Sequence, residues 1–540
     1  MTKAARSLGS LMVLGLALGI FSGSLKAGQD LHKVWAIRNA KVLVSPLRPP
    51  LEKATVIIRD GLIEAVGANI AVPPEAEVLD GTKLLVFPGL VDALGAGLLK
   101  IPEEKYDASK IYSGEYTDKD RGITPEFRAF DYVNLGKSTV EKYHKLGITA
   151  AQVLPDRGIF SGQSSVFTLG NGDKNRALLL KDACLGIGFS PAGLPIYPGS
   201  LMGVVAYLRQ SFSDARYFDM NADRWQKEMK GFPRPKYNPQ LDTLSGFAKG
   251  TKPVVFFCKN QHDIKRAIGL AEEFKLAYFI ADVGGEAWRV IPELQKAKAR
   301  VLCTVSFKAP MTSFLTKLGK EERERAEKEV YPKNPAKLVE AGIPFAFSSL
   351  GTDDPKSFLE GIQKAIEAGL PGEKALEALT TTPAAFLGLD RALGTVEAGK
   401  IANLVLTEAD LLAKEPKVRY VFADGERIEL KEAKATEGEK PTVNVSGRWE
   451  ITAEDTPKLT VDILQEEGVL SGKMTTPFGV FDFTGGSVSG NQIDFEMNIS
   501  VGGQQIDLYF SASVEGDTMR GTVVQGSQGS SEFTGKRIPG

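Results

Sequence analysis

Histidine, the side chain best suited to acid–base and metal chemistry near neutral pH, is rare in this sequence. The 540 residues include three histidines, His32, His144 and His262. His262 follows an apolar run that predicts a strand, and Lys259 lies just before it. Asp92 and Asp282 also lie near the ends of apolar runs. A lysine, a histidine and carboxylates placed together could transfer protons without a metal, so these four residues are the candidate catalytic set.

Each candidate also has a structural interpretation. An aspartate after a strand often caps the next helix, and Asp263 beside His262 fits that role. His32 lies near the N-terminus and His144 at the end of a predicted helix, so both are expected to be structural or surface residues. The cysteines are too few and too widely spaced for a disulfide framework or a cysteine zinc site; they are Cys184, Cys258 and Cys303.

The long middle part of the chain must position the candidates, because apolar runs alternate there with helical patterns. The runs are mostly continuous, as expected for strands covered on both faces. They are Val86–Val91, Ile148–Val153, Ser165–Leu169, Cys184–Phe189, Val254–Phe257, Ala277–Ile280, Val301–Thr304 and Ile343–Phe347. Eight strands with helices between them predict an α/β fold, a (β/α)8 barrel over residues 88–393. Its reactive face would lie at the carboxyl ends of the strands.

Short β patterns flank this barrel on both sides, at residues 34–87 and 394–430. Asp60-Gly61 in the first flank and Asp424-Gly425 in the second are strong hairpin signals. Two β-rich flanks around one α/β region predict a single composite β-sandwich built from both ends of the domain.

The end of the chain has a different composition. Residues 431–443 are charged and predict a linker. Residues 444–540 contain eight short segments of alternating apolar and polar residues, punctuated by glycines. This pattern predicts an all-β antiparallel domain, either a closed barrel or a sandwich.

Composition and the N-terminus indicate an exported globular protein. The chain is 43% hydrophobic and 25% charged, and its 66 Lys and Arg residues balance 67 Asp and Glu residues, which leaves no basic footprint for nucleic acid. Residues 1–27 have the pattern of a cleaved signal peptide, with Lys3 and Arg6 before an apolar run and small residues after it. That run is shorter than the ~20 residues that span a bilayer. We therefore expect a periplasmic or secreted protein without a transmembrane span.

Three segments resemble one known family. They are Pro88-Gly89-Leu90-Val91-Asp92 after the first predicted barrel strand, residues 380–389 after the last predicted helix, and residues 394–405 at the return to the sandwich. Together they resemble the metal-dependent amidohydrolase superfamily, in its imidazolonepropionase-like branch. The resemblance implies a barrel beside a split β-sandwich. It also implies zinc or another divalent metal that activates water against a C–N bond.

The residues that the resemblance implies as metal ligands are missing from this chain. Leu94 and Ala96 stand at the two histidine positions of the first strand, Phe257 at the histidine of the fifth, and Leu350 at the aspartate of the eighth. The sixth strand has no histidine either, and none follows His262. Leucine, alanine and phenylalanine side chains have no lone pair, so no metal cofactor is predicted.

We therefore interpret the chain as an amidohydrolase-like protein that has lost the metal centre and acts in binding or assembly. One alternative is a hydrolase of dipeptide or non-peptide C–N bonds whose site is built from His262, Lys259, Asp282 and neighbouring carboxylates. Another is a module that binds an envelope peptide or glycan through the C-terminal domain. The aromatic residues of the insertion at 214–250 predict an interface, either in a homodimer or in a heterodimer with a catalytically intact relative.

Overall fold

The computed structural model describes residues 33–102, 117–170, 172–191, 196–308, 317–352, 354–414, 416–430, 441–453, 459–466, 468–476, 479–501, 504–525 and 530–538. The chain divides into two compact units between Leu430 and Lys431. The predicted signal peptide and most of the predicted linker lie outside the described residues.

The first unit contains strands and helices, and the second contains strands. The strands of the first unit are β1 (Val34–Val42), β2 (Leu51–Arg59), β3 (Leu62–Gly67), β4 (Glu77–Asp80), β5 (Leu85–Pro88), β6 (Leu90–Gly95), β7 (Ile148–Val153), β8 (Phe160–Gln163), β9 (Ser165–Thr168), β10 (Leu178–Leu180), β11 (Leu185–Gly188), β12 (Val254–Cys258), β13 (Tyr278–Asp282), β14 (Val301–Thr304), β15 (Phe345–Ser348), β16 (Leu404–Thr407), β17 (Val418–Ala423) and β18 (Glu426–Glu429). Its helices are α1 (Ala129–Tyr132), α2 (Lys137–His144), α3 (Lys174–Ala177), α4 (Leu201–Glu228), α5 (Pro239–Ala248), α6 (Gln261–Phe274), α7 (Ile291–Lys296), α8 (Lys317–Glu329), α9 (Asn334–Glu340), α10 (Pro355–Glu367), α11 (Gly372–Leu379) and α12 (Thr381–Phe386), with 3₁₀ turns at Ala287–Val290 and Tyr331–Lys333.

Strands from both flanks form one mixed sheet in the order β18-β17-β16-β5-β1-β2-β3, with β4 paired to β1. The two predicted Asp-Gly turns close the β2–β3 and β17–β18 hairpins, and all four residues have positive φ. Such turns match the twist of a hairpin. A Cβ on Gly425 would lie 2.2 Å from the Cα of Gly61, so the two turns pack backbone to backbone. Glycine is therefore required where the two flanks meet.

The barrel-like region contains the parallel pair β6–β7 and the parallel series β11-β12-β13-β14-β15. Residues 160–168 lie between β7 and β11 and run antiparallel to both, as β9 against β7 and β8 against β11. The hydroxyl of Ser164, between β8 and β9, accepts hydrogen bonds from the Cys184 N–H and the Gln152 side chain. The predicted third strand is thus present but reversed, unlike a regular (β/α)8 barrel.

Connection length explains this reversal. Only residues 154–159 join β7 to β8. A parallel crossover needs a dozen or more residues, usually with a helix, so this short connection can join only antiparallel strands. The first predicted strand also differs, because Gly89 divides it. Its first half pairs within the mixed sheet as β5, and its second half becomes β6.

The second unit is a closed barrel of eight antiparallel strands. They are β19 (Gly447–Ala453), β20 (Leu459–Glu466), β21 (Val469–Thr476), β22 (Gly479–Ser489), β23 (Gln492–Val501), β24 (Gln504–Glu515), β25 (Thr518–Gln525) and β26 (Ser530–Ile538). Each strand pairs with its neighbours in the chain, and β26 returns to pair with β19. The predicted all-β antiparallel domain is confirmed, and pairing of the first and last strands makes it a barrel.

Aromatic rings fill the interior of this barrel. Phe495 stacks between Phe483 and Phe510, at ring-centroid distances of 4.4 and 4.8 Å. Trp449 is fully buried and donates its indole N–H to the Val445 carbonyl. The alternation noted in the sequence therefore places these aromatics in the core of the barrel.

We predict that residues 441–540 fold on their own and that Phe495→Ala destabilises this fragment by about 3 to 5 kcal/mol, because it removes the middle ring of the stack. Urea unfolding followed by circular dichroism measures the effect. Val480→Ala is the matched control, because Val480 is 61% exposed. Equal losses in the two variants, or an unfolded wild-type fragment, would contradict the prediction.

Candidate functional site

The positions that the resemblance assigns to metal ligands fall in one apolar cluster. Leu94, Phe257 and Leu350 are at most 3% exposed. We call the buried group that they share the inner cluster; it comprises Ala93, Leu94, Leu154, Cys184, Val255, Phe257, Phe279, Ala281, Leu302, Ala346 and Leu350. Ala96 is partly buried and packs against it. The structure thus brings together the residues that the sequence placed at four ligand positions.

Local geometry accommodates these apolar side chains. The ring of Phe257 lies against Gly186 on the neighbouring strand β11, where a Cβ would be 2.9 Å from a ring carbon. A divalent metal needs several lone-pair donors converging on one point. Over the described ranges, no group of three or more His, Cys, Asp or Glu side chains is arranged to hold a metal ion. The residues at these positions do not fit the metal that the resemblance implies.

Asp92 joins β6 to the end of β15. Its carboxylate accepts hydrogen bonds from the N–H of Leu94 at 3.2 Å and from the N–H and hydroxyl of Ser349 at 3.0 and 2.5 Å. Gly95 leaves room for this contact, since a Cβ there would be 2.6 Å from the Asp92 carboxylate. Burial raises the pKa of Asp92 to about 6, and the hydrogen bonds from Ser349 and Leu94 act in the opposite direction.

Asp282 faces away from the inner cluster. On β13, Phe279 and Ala281 belong to that cluster, whereas Ile280 packs in the core on the other side of the sheet. Asp282 follows this alternation and accepts hydrogen bonds from the N–H groups of Glu286 and Ala287 and from the Asn334 amide, each at 2.9 Å. Burial raises its pKa to about 6, although these hydrogen bonds oppose the shift. Asp282 therefore organises the 3₁₀ turn that begins at Ala287.

Lys259 and His262, the other two candidates, line one pocket of about 450 Å³. It lies at the carboxyl ends of β11 and β12, and we call it the strand-end pocket. Its characteristic residues are Arg157, Phe189, Phe257, Lys259, His262 and Arg266. Phe257 belongs both to this lining and to the inner cluster. Asp92 and Asp282 do not line the pocket, so the structure brings together only two of the four candidates.

Hydrogen bonds organise the floor of the strand-end pocket. Asn260 caps helix α6 by accepting from the N–H groups of His262 and Asp263. The buried Asp263 carboxylate pairs with Arg266 at 2.8 Å and accepts the Lys259 N–H at 3.1 Å. The Lys259 ammonium donates to the Ser190 hydroxyl at 2.9 Å. The prediction that Asp263 caps this helix is wrong, because Asn260 is the N-cap residue and Asp263 lies within the first turn, where its carboxylate holds the backbone N–H of Lys259.

Sequence reasoning missed two basic residues of the pocket. Arg157 arrives on the short connection from β7 to β8 and lies 4.6 Å from the Phe127 ring centroid. Arg266 lies one helical turn after Asp263. The spacing of Asp263 and Arg266 was a signal for their ion pair, but no local pattern assigns Arg157 to the same pocket as β12.

The remaining described histidine has a structural place. His144 is buried, and its Nε2 lies 2.5 Å from the Leu169 carbonyl oxygen. Burial lowers the pKa of His144. It therefore connects the end of helix α2 to the chain after β9, as expected for a structural residue. His32 lies outside the described residues.

Comparisons with known proteins agree with this fold. A model of the amidohydrolase family matches residues 322–428. The structure of an amidohydrolase from Thermotoga maritima MSB8 aligns with a TM-score of 0.61 and 26% identity, covering 73% of this chain and 100% of that one. These matches support the amidohydrolase superfamily.

Two prolidases align less closely. A prolidase complexed with N-methylphosphonate-L-proline has 15% identity and a TM-score of 0.45, covering 74% of this chain and 100% of that one. A putative prolidase from Bifidobacterium longum has 17% identity and a TM-score of 0.43, covering 73% of this chain and 94% of that one. No curated protein matches the chain. Within the part of the chain that the structure describes, no helix is long and apolar enough to cross a membrane.

The raised pKa of Asp92 predicts a pH dependence of stability. The folded state holds this proton more tightly than the unfolded state, so the contribution is complete below the ordinary pKa and lost as the pH rises through about 6. Asp92→Asn keeps the shape and stays neutral. The variant should therefore lose about 2 kcal/mol less stability than the wild type between about pH 4 and pH 7.

Urea unfolding followed by helical circular dichroism measures this difference in the first unit. Asp390→Asn is the control, because Asp390 is exposed. If Asp92→Asn showed the same fall in stability with pH as the wild type, Asp92 would not hold a proton in the folded protein in this range.

Proposed function

We propose that this chain is an exported, metal-free amidohydrolase-like protein whose barrel acts in binding or assembly rather than in hydrolysis. The observation that carries the proposal is the burial of Leu94, Phe257 and Leu350 in one apolar cluster. Metal-dependent hydrolysis needs a cation held by imidazoles and carboxylates with one position open to water. A buried cluster of leucine and phenylalanine side chains supplies no ligand atoms for such a cation.

Apolar residues stand where the resemblance implies histidines and an aspartate, and this change of side-chain type supports loss of the metal centre. Histidines and carboxylates that no longer held a metal would leave desolvated polar groups without partners. Apolar side chains at the same positions remove that cost and add buried apolar surface. The expected result is a barrel that is stable without metal.

Metal analysis of the purified mature protein tests the proposal. We expect no stoichiometric zinc, iron, manganese or nickel, and no change in thermal stability on chelation. The matched experiment measures release of amine from dipeptides in the presence of a chelator. About one metal per chain, removed by a chelator with loss of stability, would contradict the proposal.

A polar replacement inside the inner cluster should not be tolerated. Leu94→His places an imidazole at a position with 0% exposure among the apolar side chains of the inner cluster and should destabilise the first unit by about 3 kcal/mol. Leu94→Met preserves the volume and should cost less than about 1.5 kcal/mol. Urea unfolding of the two variants measures the difference. A His variant as stable as the Met variant would show that the cluster is open to water.

The alternative hydrolase has one supporting observation, because Lys259 and His262 line the same pocket. Asp92 and Asp282 are held elsewhere by their own hydrogen bonds. The carboxylates that line the pocket are instead Asp156 and Asp263, and Asp263 is paired with Arg266. Chelator-resistant hydrolysis that Lys259→Gln abolishes would favour this alternative over the proposed binding role.

Export and assembly form part of the proposal. Export predicts a mature N-terminus between about residues 22 and 28, which intact mass can establish. Assembly is supported by helix α4, which continues to Glu228, well beyond its last buried residue, Ala215. Tyr217 and Tyr237 in this region are 62% and 79% exposed. Light scattering distinguishes a homodimer from a monomer, and affinity purification from the envelope tests for a relative as partner.

A further inference from the structure

The strand-end pocket has an unbalanced charge. Three cations line it, Arg157, Lys259 and Arg266, against two carboxylates, Asp156 and Asp263. Arg266 and the buried Asp263 pair with each other at 2.8 Å, so they largely neutralise one another. Arg157 and Lys259 are left with Asp156 as the single remaining carboxylate of the lining. The pocket therefore has one positive charge in excess.

Both remaining cations keep hydrogen-bonding capacity. The Lys259 ammonium has three donors and donates one hydrogen bond to the neutral Ser190 hydroxyl at 2.9 Å. The Arg157 guanidinium lies over the Phe127 ring, and such a contact with the π face does not consume the N–H donors of the guanidinium. Charge-assisted hydrogen bonds to an anion are roughly twice as strong as neutral ones. An anion is thus the complement of these two side chains.

The inner wall of the pocket is apolar. Phe189 and Phe257 are 6% and 2% exposed and line the cavity together with Leu201. A volume of about 450 Å³ lies within the range of small-molecule sites, which combine apolar walls with a few polar groups that orient the ligand. The pocket can therefore hold more than an inorganic ion.

We propose that the strand-end pocket binds a small organic anion, with a carboxylate or phosphate group at Lys259 and Arg157 and an apolar body against Phe189 and Phe257. This inference rests on the proposed binding role and specifies its ligand class. Phe257 connects the proposed loss of the metal with the proposed pocket. It stands at a position that the resemblance assigns to a metal ligand, and it also forms part of the apolar wall of the pocket.

Calorimetry on the full-length mature protein tests the proposal with four probes: 3-phenylpropionate, its neutral amide, phenyl phosphate and inorganic phosphate. We expect at least one of the two aromatic anions to bind. The amide and inorganic phosphate should each bind at least ten-fold more weakly than that anion, because the first lacks the charge and the second lacks the apolar body. Comparison of the two aromatic anions distinguishes carboxylate from phosphate as the preferred group.

Lys259→Gln should weaken binding of the preferred anion at least ten-fold, and Lys259→Arg should restore most of it. Lys356→Gln is the matched control, because Lys356 is an exposed lysine on helix α10. Thermal melting verifies that each variant is folded. No binding of either aromatic anion, equal binding of the amide, or equal effects of Lys259→Gln and Lys356→Gln would overturn the anion pocket. Stoichiometric metal with intact anion binding would overturn the proposed function alone.

Discussion

Burial of the inner cluster determines which side chains the barrel-like region can hold there. A group buried there must either be apolar or have every polar atom satisfied. Leu94, Phe257 and Leu350 meet the first condition, and Asp92 meets the second by accepting three hydrogen bonds from Leu94 and Ser349. The charged side chains of this region lie instead in the strand-end pocket, which shares Phe257 with the inner cluster.

Local patterns predicted much of the fold, because they depend on nearby residues. Both Asp-Gly turns form hairpins, and the continuous apolar runs became strands. The direction of residues 160–168 was not predicted, because period and hydrophobicity do not depend on strand direction. Strand direction is instead determined by the length of the connection at 154–159, which is too short for a parallel crossover. Alternation along β13 likewise puts Asp282 on the face opposite to Phe279 and Ala281. Its position near a strand end was the only feature that grouped this residue with the catalytic candidates.

Long-range pairing accounts for the rest of what sequence reasoning left open. Alternating segments in 444–540 fit a barrel and a sandwich equally well, because both have one face buried. The deciding interaction is the pairing of β19 with β26, the two ends of the unit. The strand-end pocket also depends on long-range contacts, since Arg157 and Lys259 come from connections far apart in the sequence. No local sequence pattern predicts either the closure of the barrel by β19 and β26 or the composition of this pocket.

The position of β5 in the mixed sheet has a consequence for the order of folding. This strand lies between β1, which ends at Val42, and β16, which begins at Leu404 after the whole barrel-like region. Until Leu404–Thr407 are synthesised, one edge of β5 has backbone groups without a strand partner, and such edges promote aggregation. Closing so long a loop is also slow. During synthesis, the strands of residues 34–88 therefore have an unpaired edge until β16 has been made. A chain truncated before β16 would keep this unpaired edge and would be prone to aggregate.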